Sequence, residues 1–213
     1  YDMSSLRLGL SLQLVTEAKV APTTGHVIAP INYFAQTIMK KVEIFLNDIS
    51  VYNSSNYYAQ RALFDAWLNH NNNDREGTLR CQGFIPDSAA HLDTASLSSV
   101  AFRSRAHFFG KPEDAADAAN NNVVFDATTR TFYVPLVTDL NSLNMHLISG
   151  VSIRVEIEFH NSSHVLWADG DACVNAKYQL RIASTNLRVK MLQMSEGYAR
   201  SVEEKLAKKE LKY

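Results

Sequence analysis

"VEIFLNDISVYNSSNYYAQRALFDAWLNH", residues 42–70, changes rhythm halfway, and the fold turns on how that change is read. Val42, Ile44 and Leu46 alternate with Glu43 and Phe45, the two-residue period of a strand with one buried face. "NDIS" follows, and Asn47 and Asp48 tolerate the left-handed backbone of a tight turn. Beyond it, Ala59, Ala62, Leu63, Ala66 and Trp67 recur at spacings of three and four, with Phe64 and Leu68 widening the stripe. The spacing predicts a helix over residues 56–69, N-capped from Ser54, Ser55 or Asn56 and stopped by "NHNNNDREG". With its aromatics in the core, such a helix would cap one end or edge of a sheet. Trp67→Ala is then expected to cost on the order of 3 to 5 kcal/mol.

Outward from this stretch the chain reads as strands. "LRLGLSLQL" places Leu6, Leu8, Leu10, Leu12 and Leu14 on one face and Arg7, Gly9, Ser11 and Gln13 on the other. "VSIRVEIEF" does the same with Val151, Ile153, Val155, Ile157 and Phe159 against Ser152, Arg154, Glu156 and Glu158. "TFYVPLV" alternates Phe132, Val134 and Leu136, and Pro135 within it argues for an edge strand or a bulge. "KYQLRIA" and "NLRVKML" add further strands, and "YFAQTIMKKVEIFL" is expected to be extended throughout. Residues 77–110 read as loops and short strands, and "KPEDAADAANNN" as a surface loop. The tail from residue 195 turns to charged helix formers. The expected fold is mainly β: an antiparallel jelly-roll sandwich over residues 1–194, one early capping helix, and a C-terminal helix or linker over 195–213.

The totals narrow the function. The chain has 213 residues, 46% hydrophobic and 20% charged, with formal net charge −1. That near balance gives no electrostatic case for nucleic acid or an anionic membrane. Lys205, Lys208, Lys209 and Lys212 are interleaved with Glu203, Glu204 and Glu210, the mixture of a solvated helix. No apolar run approaches the roughly 20 residues of a membrane helix. No secretory signal precedes the first strand, so Cys81 and Cys173 are expected as free thiols.

Reaction chemistry is sparse. His160 and His164 form the tightest histidine pair, but they lack the spacing and the following glutamate of a cupin metal site. "DGDACVN" at 169–175 carries Asp169 and Asp171 two apart, yet lacks the later glutamate of a calcium loop. Asp65 could meet Asp87 or Asp93 in space, as many surface carboxylates could. No phosphate loop, nucleophile elbow or paired-cysteine motif is present. No enzyme, cofactor or metal is expected. The alternatives weighed are a lectin-like sandwich, with Tyr52, Tyr57 and Trp167 as sugar-stacking platforms, and a cupin-type metalloenzyme. Those three aromatics read more naturally as core.

A family resemblance starts in the quoted stretch. Phe45, Leu46 and Asn47, then Tyr58, Arg61, Ala62, Asp65, Leu68 and Asn69, resemble the strand–turn–helix signature of the hexon-like major capsid proteins of Polinton (Maverick) elements and adintoviruses. There the strand reads F-L-N-G and the helix Y-P-Y-R-A-Y-L-E with a following L-L-N. "HLD" at 91–93 is similar to the family's next acidic loop, and "RSRAHFFG" at 103–110, with Arg105 and Phe109, to its K-R-A-x-x-F segment. "ISGVSIRVEI" at 148–157 and "YQLRIASTNLRVKMLQM" at 178–194 resemble later strands, so the likeness runs in order over residues 10–213. Asp48 departs from the turn glycine, Ala59 and Gln60 from Pro-Tyr, and the Asn-rich insertion is this chain's own. The resemblance implies the first of two tandem jelly rolls in a coat subunit. It further implies self-association into trimeric capsomers with other capsid proteins, and a place in the virion assembled inside the host cell.

Overall fold

Ten strands and several short helices make up the computed structural model, which describes residues 1–92, 95–112, 122–142, 146–147, 150–170 and 177–207. The strands are β1 Asp2–Val15, β2 Val27–Pro30, β3 Met39–Leu46, β4 Ile49–Asn53, β5 Gly110–Pro112, β6 Val123–Phe125, β7 Arg130–Pro135, β8 Ile153–Phe159, β9 Leu166–Asp169 and β10 Gln179–Lys190. Every ladder among the described residues is antiparallel. One sheet runs β10-β1-β7 and a second β4-β3-β8, with β2-β9 and β5-β6 as separate pairs.

The long-range pairs nest. β1 pairs with β10, β2 with β9, β3 with β8 and β5 with β6, so each pair lies inside the one before it along the chain. β7 then adds to the free side of β1, and β4 to the free side of β3. The two three-stranded sheets share one apolar cluster, built from Leu6 to Leu14, Val42, Ile44, Phe132 and Val134. Strand β1 lies at its centre, with all five alternating leucines buried, as their period requires. Pro135 closes β7, one of the two edge strands of its sheet, a position that tolerates proline.

β3 and β4 form a two-residue hairpin. Asn47 and Asp48 both take positive φ, 48° and 62°, the geometry of a type I′ turn. Aspartate therefore does here what glycine more often does. β4 itself, within the stretch read as a polar turn, is a strand.

Helices occupy more of the chain than its patterning suggested. Phe34–Thr37 is a buried helical turn (α1) where an extended run was expected. It starts at Tyr33, held at φ 59° by a hydrogen bond from its N–H to the Gly83 carbonyl. Gly83 must be glycine on two counts: its φ is 84°, and a Cβ there would lie 2.3 Å from the Phe34 ring. The aromatic helix, α2, spans Tyr58–Leu68, shorter than residues 56–69. None of the expected caps acts: Ser54 Oγ accepts from the Val42 N–H and Ser55 N–H donates to Asn53 Oδ1, so both serve the turn. Asn72–Asp74 is a short turn of helix (α3), followed by helical turns over Arg75–Leu79, Arg80–Gln82 and Ala89–His91. Then comes α4, Val100–Ala106, capped by Ser99, so residues read as loops and short strands are largely helical turns. Asp139–Ser142 (α5) and Ser162–Val165 (α6) are single turns, and Glu196–Ala207 (α7) is the expected C-terminal helix. Among the described residues no helix is long and apolar enough to cross a membrane.

Candidate functional site: the hairpin–helix module and its surroundings

One tyrosine and two alanines carry the inner face of α2. Tyr58, Ala62 and Ala66 are buried, and the short alanine side chains let the helix sit close to α1 and β3. Tyr58 is anchored at both ends of its polarity: its hydroxyl donates to Gln36 Oε1 at 2.9 Å and accepts from the Val137 N–H at 2.9 Å. Burial drives the Tyr58 phenol far above its ordinary pKa, so it stays a neutral donor. Gln36, also fully buried, donates on to the Pro135 carbonyl at 2.7 Å and to Gln82 Oε1 at 3.1 Å. This chain of bonds ties α1, α2, the Arg80–Gln82 turn and the end of β7 together. Gln36 was missed by the reading of the sequence. Its one signal is being the lone amide in the apolar run "YFAQTIM".

The outer face is the surprise. Tyr57, Phe64 and Leu68 are 69%, 64% and 79% exposed, and Trp67 is 43% exposed. The expectation that the helix buries its aromatics is therefore overturned for all but Tyr58, and a full core penalty for Trp67→Ala falls with it. The reason is geometric: Tyr58 and the two alanines occupy the inner face, so the remaining rings fall on the outer one. Trp67 instead stands edge-on to Phe84 at 5.3 Å, with the Arg75 guanidinium over its ring at 5.1 Å.

The remaining motif residues serve the frame. Asn47 clasps the start of β8: its Oδ1 accepts from the Ser152 N–H at 2.9 Å and its N–H donates to the Ser152 carbonyl at 3.0 Å. Phe45 and Leu46 are half-buried, and Arg154 lies 4.0 Å above the Phe45 ring. Arg61 pairs with Asp139 on α5 and stacks over Tyr52; the bond to Asp139 raises its pKa. Asp65 accepts from Asn69 Nδ2 at 2.8 Å, and His70 lies 3.5 Å away.

Arg105 is the one fully buried guanidinium. Its Nε donates to the Pro30 carbonyl at 2.9 Å, its Nη1 to the Ile85 carbonyl at 2.6 Å, and its Nη2 to both Asp87 oxygens at 3.1 and 2.8 Å. The arginine thereby bolts α4 to the end of β2 and to residues 85–87. Both Asp87 oxygens are taken in this way, so Asp87 and Asp65 form no pair. Asp93 lies outside the described residues, as do Asp171, Cys173 and residues 113–121 of the Asn-rich insertion. Phe109 is buried beside Phe34 and Phe132 in an aromatic cluster.

The alternatives find little geometry. Tyr52 is in the core as expected, Trp167 packs half-buried against Phe102, and Tyr57 is exposed rather than core. His160, just before α6, and His164, within it, stack their rings at 5.7 Å, and burial followed by the His164 charge lowers the His160 pKa. Among the described residues no three His, Cys, Asp or Glu side chains cluster as metal ligands. Cys81 is a free, exposed thiol.

No family model matches the chain, and neither the curated proteins nor the solved structures contain a match to it.

Proposed function

We propose that this chain is a structural coat protein, the N-terminal jelly roll of a major capsid subunit of a Polinton- or adintovirus-like DNA element, and that it acts by self-assembly. The ordered motif resemblance is one support. The nested pairing of β1–β10, β2–β9, β3–β8 and β5–β6 is another, because a jelly roll is a long hairpin wound so that its strand pairs nest and divide between two sheets.

The observation that carries the reading is the inverted helix. α2 turns alanine inward and Tyr57, Phe64, Trp67 and Leu68 outward, on a rigid support of buried hydrogen bonds. Exposed aromatics held on a firm scaffold are what an interface needs, whereas isolated folding would favour burying them. Symmetric or ring-closing contacts between copies would cover Tyr57, Phe64 and Leu68, each contact burying on the order of 1,200 Å² or more.

Sedimentation equilibrium of the full chain tests this. A trimer is expected, dissociated to a folded monomer with an unchanged far-UV circular dichroism spectrum by the double substitution Phe64→Asp and Leu68→Asp, since neither side chain is in the core. A monomer at every concentration overturns the reading.

A further inference from the structure

Between the C-terminal end of α2 and the start of α4 lies a cavity of about 630 Å³. Trp67, Phe84, Ile85 and Val100 form its apolar wall, and Arg75, Arg80, His91, Asn72, several serines and one carboxylate, Glu76, its polar one. That volume is in the range of small-molecule sites and far exceeds what a bare ion needs.

The two arginines differ from Arg105. All three nitrogens of Arg105 are bonded, two of them to backbone carbonyls and one to a carboxylate. Among the described residues, neither Arg75 nor Arg80 has a carboxylate partner. Arg75 lies over Trp67 and donates one Nη2 bond to the Trp67 carbonyl, while its Nε is buried with no acceptor at all. A buried charged donor without an acceptor is a standing penalty that an incoming oxyanion relieves. The hydroxyls of Ser88 and Ser104 are also in the lining. Trp67, still partly open, offers a flat surface beside these donors.

We infer that this cavity binds an organic phosphate with a flat ring body, of the size of a nucleoside monophosphate. The phosphate sits against Arg75 and Arg80, and the ring against Trp67 and Val100.

The test follows the Trp67 indole N–H resonance, assigned with Trp67→Phe, as the full chain is titrated separately with adenosine 5′-monophosphate, adenosine and inorganic phosphate. The monophosphate is expected to saturate at or below about 1 mM, with either half-ligand at least about tenfold weaker. Arg80→Gln, an exposed substitution that leaves the fold intact, and Arg75→Gln should each weaken binding about tenfold. Arg154→Gln, remote from the cavity, should change nothing. No saturable shift by about 10 mM, or equal binding by the Arg75→Gln/Arg80→Gln double variant, overturns the assignment.

Discussion

Leu6 to Leu14 on β1 and Ile153 to Phe159 on β8 alternate apolar and polar with equal strictness, yet the five leucines are sealed while all four inward residues of β8 remain partly exposed. The difference lies in their neighbours. β1 has β10 on one side and β7 on the other, whereas β8 pairs only with β3 among the described residues. Opposite β8 the facing sheet leaves a cleft of about 330 Å³, lined by Leu8, Val155, Ile157, Phe159 and Leu187. Periodicity says which face of a strand turns inward; the position of that strand in its sheet sets how deeply.

Core substitutions should separate the two strands most sharply. Leu10→Ala removes a side chain with no exposed surface from the central strand, and about 3 to 4 kcal/mol of stability should go with it in urea unfolding. Ile157→Ala, chemically similar, should cost less, about 2 kcal/mol, because that side chain is only partly buried against the core. Equal losses would mean that β8 is as well covered as β1, and the edge-strand account would fail.

The polar face of β8 gives the smallest effect. Lys40 donates to Glu158 at 2.6 Å and holds its carboxyl below the usual range. A depressed folded pKa means that this pairing stabilises above the unfolded carboxylate value and is lost as pH falls through the folded one. Glu158 is exposed and Lys40 half-exposed, so screening keeps the contribution small. Wild type should therefore have a slightly higher Tm than Glu158→Gln at neutral pH, a gap that closes in acid. A gap that widens in acid would reverse the sign argued here.

Much of this was legible beforehand. The strand faces of β1, β3, β7 and β8, the left-handed turn at Asn47 and Asp48, and the charged helix after residue 195 all follow from local rules acting within a few residues. α1 was not legible, because "YFAQTIM" is apolar on every side and its helical turn is set by Gly83 and the Tyr33 conformation some fifty residues apart. At the site, Tyr58, Arg61 and Arg105 stood out as residue types in a pattern, but their roles did not. Arg105 is a bolt because Asp87 and the Pro30 and Ile85 carbonyls converge on it, and no spacing encodes that convergence.

By itself the amino-acid sequence determined the alternations, the turn chemistry and the existence of an aromatic helix, since each depends on backbone preferences and side-chain periods along one segment. Tertiary structure alone decided which strands became central, which way α2 faced, and where a buried arginine was matched or left with a free donor. Those outcomes depend on what packs against each segment from elsewhere in the chain, and a helix whose alanines fit the core must hold its rings out to whatever comes next.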